Sequence, residues 1–274
     1  MRSYFYHYSV HQSSYYQSGQ ALRSKLRLLT LKDHFALKDP YAPFSLLIVA
    51  PNTTDIHAVN ALPQRTAIAQ ALYYAIQHKY NFYLNPLDQG DDRILERAED
   101  AVELRLRSLI HVFQDLSEQQ EGHAVLVLDP DGLIMDDRRP LDDLVGNLSN
   151  DTSHLPLFWF HQLDRRVFSS SYVARAESDT LEIIQGALHL LDSHRQKPTS
   201  LSHQFKSDGS ALWHAVTDDK TFAEASWLGT RVHGWQRGDF MVNLHLTDDV
   251  SRRCAQDYLE IKAMNDVLHL DTLS

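Results

Sequence analysis

The chain has 274 residues and a formal net charge of −10, with apolar and charged fractions typical of a globular protein. That charge excludes a general affinity for nucleic-acid backbones, which require a basic surface, while leaving room for a local nucleotide site. A single cysteine, Cys254, excludes an internal disulfide and fits a reducing compartment.

Residues 1–43 read as an aromatic and helical extension, with helical apolar spacing over Gln20–Leu37. The first seventeen residues, MRSYFYHYSVHQSSYYQ, carry no apolar leader, and no apolar run is long enough to span a bilayer. The expectation is therefore a cytoplasmic chain with no membrane segment, or a Golgi-lumenal one where an upstream anchor has been removed.

FSLLIVAP (Phe44–Pro51) reads as the first core strand, closed by the turn-forming pair Pro51-Asn52. Ala61–His78 is amphipathic, with Ile68, Leu72, Ala75 and Ile76 on one face. NFYLNP reads as a second strand, and Asp91–Leu116 as a periodic helix with an acidic start. AVLVL then forms a strand apolar on both faces and ends at Asp129-Pro-Asp131-Gly132. Strand, helix, strand, helix, strand in this order predicts an α/β fold with a doubly wound, mainly parallel sheet flanked by helices.

Beyond Pro140 the pattern is mixed. Strands are expected at Leu157–Phe160, Val167–Arg175 and Asp239–Leu246, and helices at Ser178–His194, Asp208–Ala215 and Val250–Leu268. Residues 193–209 are the one plausible hinge.

In an open α/β sheet, ligands bind beyond the carboxyl ends of the strands, which is where Asp129 and Asp131 fall. Two carboxylates this close repel each other unless a cation sits between them, and hard oxygen donors suit Mg²⁺ or Mn²⁺. The plainer alternative is a solvated strand end in which Asp and Gly simply make a turn.

The order of features resembles the GT-A-type nucleotide-sugar glycosyltransferases. It is most similar to the family of fungal α-1,2-galactosyltransferases, yeast α-1,6-mannosyltransferase subunits and plant xyloglucan xylosyltransferases. The residues carrying the resemblance are YYAIQHKYNFY (Tyr73–Tyr83), LDPDGLIMDDRRPLDDL (Leu128–Leu144), SSSYVAR (Ser169–Arg175), DGSAL (Asp208–Leu212) and GDFMVNLH (Gly238–His245). The Asp-x-Asp block is the most specific of them. Where the family has a metal-holding histidine on its late strand, this chain has Asn243, with His245 two residues on and on the same strand face.

The resemblance implies a GT-A-like domain over 44–274, with a nucleotide-sugar-binding half at 44–145 and an acceptor-side half at 146–274. It implies a metal-dependent retaining transfer of a hexose or pentose from a UDP- or GDP-sugar to an acceptor. Asp129 and Asp131 would hold Mn²⁺ or Mg²⁺, with Asn243 or His245 completing the shell. Asp208 would act at the transferred sugar, its alternative being an N-cap of the helix it opens. Asn52, Arg107, Ser170, Ser171, Gly238 and Asp239, with Asp129, are the candidate donor contacts. Ser170 and Ser171 can equally be ordinary strand serines, and Arg107 a solvated helix residue beside Glu103. Asp136, Asp137, Asp142 and Asp143 read as solvated.

Two other functions remain open on these residues. Asp129-Pro-Asp131-Gly132 is similar to the first motif of haloacid-dehalogenase-type phosphatases, in which the first aspartate is the nucleophile. Leu133 stands where that family has threonine. The third is a catalytically silent binding protein of glycosyltransferase shape, motivated by the replaced late histidine.

Overall fold

The computed structural model describes residues 35–50, 61–87, 98–116, 123–130, 132–134, 136–145, 156–164, 167–196, 208–215, 222–224, 228–229 and 240–243. In chain order these form β1 (Phe35–Leu37), β2 (Phe44–Ile48), α1 (Ala61–His78), β3 (Asn81–Leu84), α2 (Ala98–Leu116), β4 (Ala124–Leu128) and β5 (Gly132–Ile134). They continue as α3 (Asp142–Val145), β6 (Phe158–Asp164), β7 (Val167–Arg175), α4 (Ser178–Gln196), α5 (Asp208–Ala215), β8 (Phe222–Glu224), β9 (Leu228–Gly229) and β10 (Met241–Asn243). The expected C-terminal helix at 250–268 lies outside the described residues, as do most of the N-terminal extension and of the hinge.

Seven strands make one sheet in the order β1-β3-β2-β4-β7-β6-β8, and β5, β10 and β9 make a small second sheet. Strands β2, β3 and β4 run parallel, joined through α1 and α2 as the apolar patterns predict.

The second half departs from the expected doubly wound, mainly parallel arrangement. β7 lies antiparallel between β4 and β6, and β1 lies antiparallel to β3 at the edge, so the sheet is mixed. The reason is covalent: only residues 165–166 separate β6 from β7. A parallel crossover needs a dozen or more residues, so a link this short forces a hairpin. The helical spacing read over Gln20–Leu37 also fails at its described end. Phe35–Leu37 is a strand because the edge of β3 offers backbone groups that pair in register with it, Phe35 opposite Leu84.

Strand alternation divides the core into two layers. Phe44, Leu46, Ile48, Leu126 and Leu128 face α1, packing with Ile68, Leu72 and Tyr74. Leu47, Val125, Val127, Tyr172 and Ala174 face α2, α4 and α5, packing with Leu106, Phe113, Ile184 and Leu212. Every residue of β2 and β4 is buried, which explains why both read as continuous apolar runs in the sequence.

Helix α1 ends with Lys79 in the left-handed region at φ 58°. The Lys79 and Tyr80 amides donate back to the carbonyls of Ile76 and Ala75, closing a Schellman cap. This cap turns the chain straight into β3 and sets Tyr80 under the sheet.

At the opposite end of the sheet from the Asp-x-Asp turn, His123 is buried and its Nε2 lies 2.8 Å from the Ser45 hydroxyl. The pair is sealed in the core and serves packing. Burial holds the His123 ring down at about 4, from an ordinary 6.5, against an opposing bond to the backbone of Ala42. Unfolded, the ring gains a proton below about pH 6.5; folded, it resists until about pH 4. Stability is therefore whole above the first value and falls as pH drops toward the second, by up to about 3 kcal/mol. Denaturant titrations between the two values are expected to show this slope, and His123→Gln to flatten it.

Candidate active site

Strand β4 carries the chain through the core and releases it at Asp129, which is partly exposed. The Gly132 amide donates to the Asp129 carbonyl over 2.8 Å, an i to i+3 bond that folds the chain back into β5. Pro130 suits the second position of such a turn because its φ is already fixed. The Asp129 amide is held in turn by the Ser171 hydroxyl, which accepts its hydrogen over 2.9 Å. The backbone of Asp129 is thus fixed on both sides at the strand end.

Gly132 is required by this close approach. A Cβ there would sit 2.8 Å from Met241 Cε and 3.0 Å from the Asp129 carbonyl oxygen. Strand β5 then pairs antiparallel with β10, Ile134 opposite Met241 and Gly132 opposite Asn243. This register brings the late strand of the chain against the residue that follows Asp131.

The sequence-derived candidates distribute unevenly. Asp129, Ser171 and the backbone of Asn243 converge on the β4–β5 turn. Continuing the β4–β7 register two positions beyond Val127 and Tyr172 sets the backbone of Ser170 across from Asp129. Ser171 itself is fully buried and its hydroxyl serves the Asp129 backbone, so it supports the turn where a pocket-lining contact was expected.

Arg107 stands apart. It is exposed on α2, its Nε 2.6 Å from Glu103 Oε1 one helical turn away. Glu103 also meets Arg195 of α4 at 2.5 Å, and Arg195 reaches Asp100 at 2.6 Å, so Arg107 belongs to a network joining two helices. Of the acidic loop read as solvated, Asp142 and Asp143 are exposed, but Asp137 is buried. Asp208 opens α5, which packs against β7 and α4. Asn52, Asp131, Gly238, Asp239 and His245 lie outside the described residues.

A hard divalent cation requires several oxygen donors. The described donor is a partly exposed carboxylate at a strand end, and the register adds an amide-bearing residue from a second strand. Among the described residues no group of three His, Cys, Asp or Glu is assembled, Asp131 and His245 falling outside them.

The end of β5 and the segment after it are gripped from α1 in a way the sequence did not announce. Gln70, Tyr74 and His78, one helical turn apart each, bond the carbonyls of Ile134, Arg139 and Asp137; the last two contacts measure 2.8 and 2.7 Å. The only local signal is a polar stripe at four-residue spacing beside the apolar face of α1.

Against known proteins, no family model matches the chain, and no curated protein matches it. Among solved structures it is similar to a glycosyltransferase involved in glycosylation of the major capsid of PBCV-1. The TM-score is 0.54 at 12% sequence identity, over 79% of this chain and 98% of that one. The two share a fold. Among the described residues no helix is long and apolar enough to cross a membrane.

Proposed function

We propose that this protein is a metal-dependent, retaining glycosyltransferase that moves a hexose or pentose from a UDP- or GDP-sugar to an acceptor. The observation that carries the reading is the convergence of Asp129 and β10 at the carboxyl end of β4, in a chain with a glycosyltransferase's fold. In the reaction the bond from the sugar's anomeric carbon to the diphosphate breaks. A new bond to an acceptor hydroxyl forms on the same face, the hydroxyl proton passes to the departing diphosphate oxygen, and a nucleoside diphosphate leaves.

Asp129 and Asp131 would hold Mn²⁺ or Mg²⁺, with Asn243 or His245 from the late strand. Bound there, the cation supplies Lewis-acid neutralisation of the departing diphosphate. The chain's own part is to hold the Asp129 backbone without rearrangement, which its bonds to the Ser171 hydroxyl and the Gly132 amide favour. Asp208 is assigned to the transferred sugar, where a carboxylate stabilises a cationic transition state. Ser170, Gly238, Asp239 and Asn52 are assigned to the donor.

Calorimetry with UDP- and GDP-sugars, each with and without Mn²⁺, tests this. Nucleotide binding that requires Mn²⁺ is the expected result. Hydrolysis of small phosphate esters without a nucleotide response would favour the phosphatase chemistry of Asp129. Silence in both assays would leave a binding protein of the same fold.

A further inference from the structure

We infer that Tyr74 is a positioning residue of the donor site, acting by locking the segment after β5 and the start of β10 to one another. This rests on the reading of the β4–β5 turn as a metal and nucleotide site.

Tyr74 is fully buried on α1 and touches both segments at once. Its hydroxyl donates to the Arg139 carbonyl over 2.8 Å. Its ring meets Phe240 edge-on, centroids 5.6 Å apart. Phe240 directly precedes β10, and its carbonyl accepts the Asp136 amide at 3.1 Å. Tyr80 adds a second hold, its hydroxyl accepting the Leu141 amide at 3.0 Å, while its ring packs edge-on against Tyr74 at 5.8 Å.

The register of Gly132 against Asn243 depends on where these two segments lie. β5 and β10 are three residues each, and among the described residues their pairing is extended only by the Asp136–Phe240 backbone bond and by the two residues of β9 on the far side of β10. Short strands of this kind hold register only through what packs on them. A rigid helix bonded to the chain on one side and stacked on the other provides that support, and Tyr74 is the side chain common to both. Removing its hydroxyl loosens the placement of β10 relative to the turn at Asp129, while the bonds that hold the Asp129 backbone come from Ser171 and Gly132 and stay in place.

The test is Tyr74→Phe, which keeps the ring and removes the donor. Tyr83→Phe is the matched control: Tyr83 is also buried, and its hydroxyl bonds Asp115 at 2.7 Å on the other face of the sheet. Calorimetry with Mn²⁺–UDP is expected to show about 10-fold weaker binding for Tyr74→Phe and wild-type binding for Tyr83→Phe. Hydrogen exchange is expected to quicken over 136–141 and 240–243 in the first variant alone. Should Tyr74→Phe not fold, Gln70→Leu removes a neighbouring hold from a half-exposed position, with the same expectation. Wild-type affinity in the variant, or equal loss in the control, overturns the assignment. A wild-type protein that binds no Mn²⁺–UDP fails differently, removing the functional reading itself and this role with it.

Discussion

Asp129→Ala is expected to lower metal-dependent donor turnover by about 100-fold or more, the scale of losing one preorganised electrostatic group. The substitution leaves the local fold in place. The bond from the Ser171 hydroxyl reaches the Asp129 amide, and the Gly132 amide reaches its carbonyl, so alanine retains both. Asp129 is partly exposed at a strand end, where truncation of a side chain is expected to cost little stability. Turnover of UDP- and GDP-sugars with Mn²⁺, measured beside a thermal melt, checks this. Unchanged turnover would remove Asp129 from the mechanism, whereas a collapsed melting temperature would mean the side chain supports the fold instead. Asp131→Ala is expected to act in the same direction.

Gly132→Ala should cost both stability and binding. The added Cβ meets Met241 Cε at 2.8 Å and the Asp129 carbonyl oxygen at 3.0 Å. The methionine tail can swing aside. The carbonyl cannot, because it is backbone and is already bonded to the Gly132 amide at 2.8 Å. Relief therefore has to open the turn that presents Asp129. Overpacking of this kind costs about 1–3 kcal/mol, and the displaced turn should weaken Mn²⁺–UDP binding by about 10-fold. The double variant Gly132→Ala, Met241→Ala separates the two contacts. It is expected to recover part of the stability and none of the affinity, since only the side-chain contact is removed. Full recovery of affinity would show that the backbone contact does not matter.

How far the chain could be read depends on whether each signal is local. The buried runs of β2 and β4 and the helix Ala61–His78 are written in consecutive residues, and Val167–Arg175 appears as a strand with its ends in place. The direction of β7 was also available, since the six residues between the strands read at Leu157–Phe160 and Val167–Arg175 are too few for a parallel crossover. β1 was not legible, because its strand character comes from the edge of β3 and not from its own spacing.

The site divides in the same way. Asp129 was visible as a carboxylate after an apolar run. The bonds that fix its surroundings were not. The Ser171 hydroxyl meets the Asp129 amide from 42 positions away, and the Tyr74 hydroxyl meets the Arg139 carbonyl from 65, and neither separation leaves a pattern in the sequence. The ion pair of Arg107 with Glu103 was legible, because the four-residue spacing on one helix face predicts it.

The most direct test of the account is a crystal of the protein grown with Mn²⁺ and UDP, read by its anomalous difference map. The expected map shows one manganese peak bonded to carboxylate oxygens of Asp129 and Asp131, with the diphosphate on its open side and Asn243 or His245 beside it. A map with the nucleotide bound elsewhere, or with the Asp129 carboxylate facing bulk water and no manganese before it, would contradict the account.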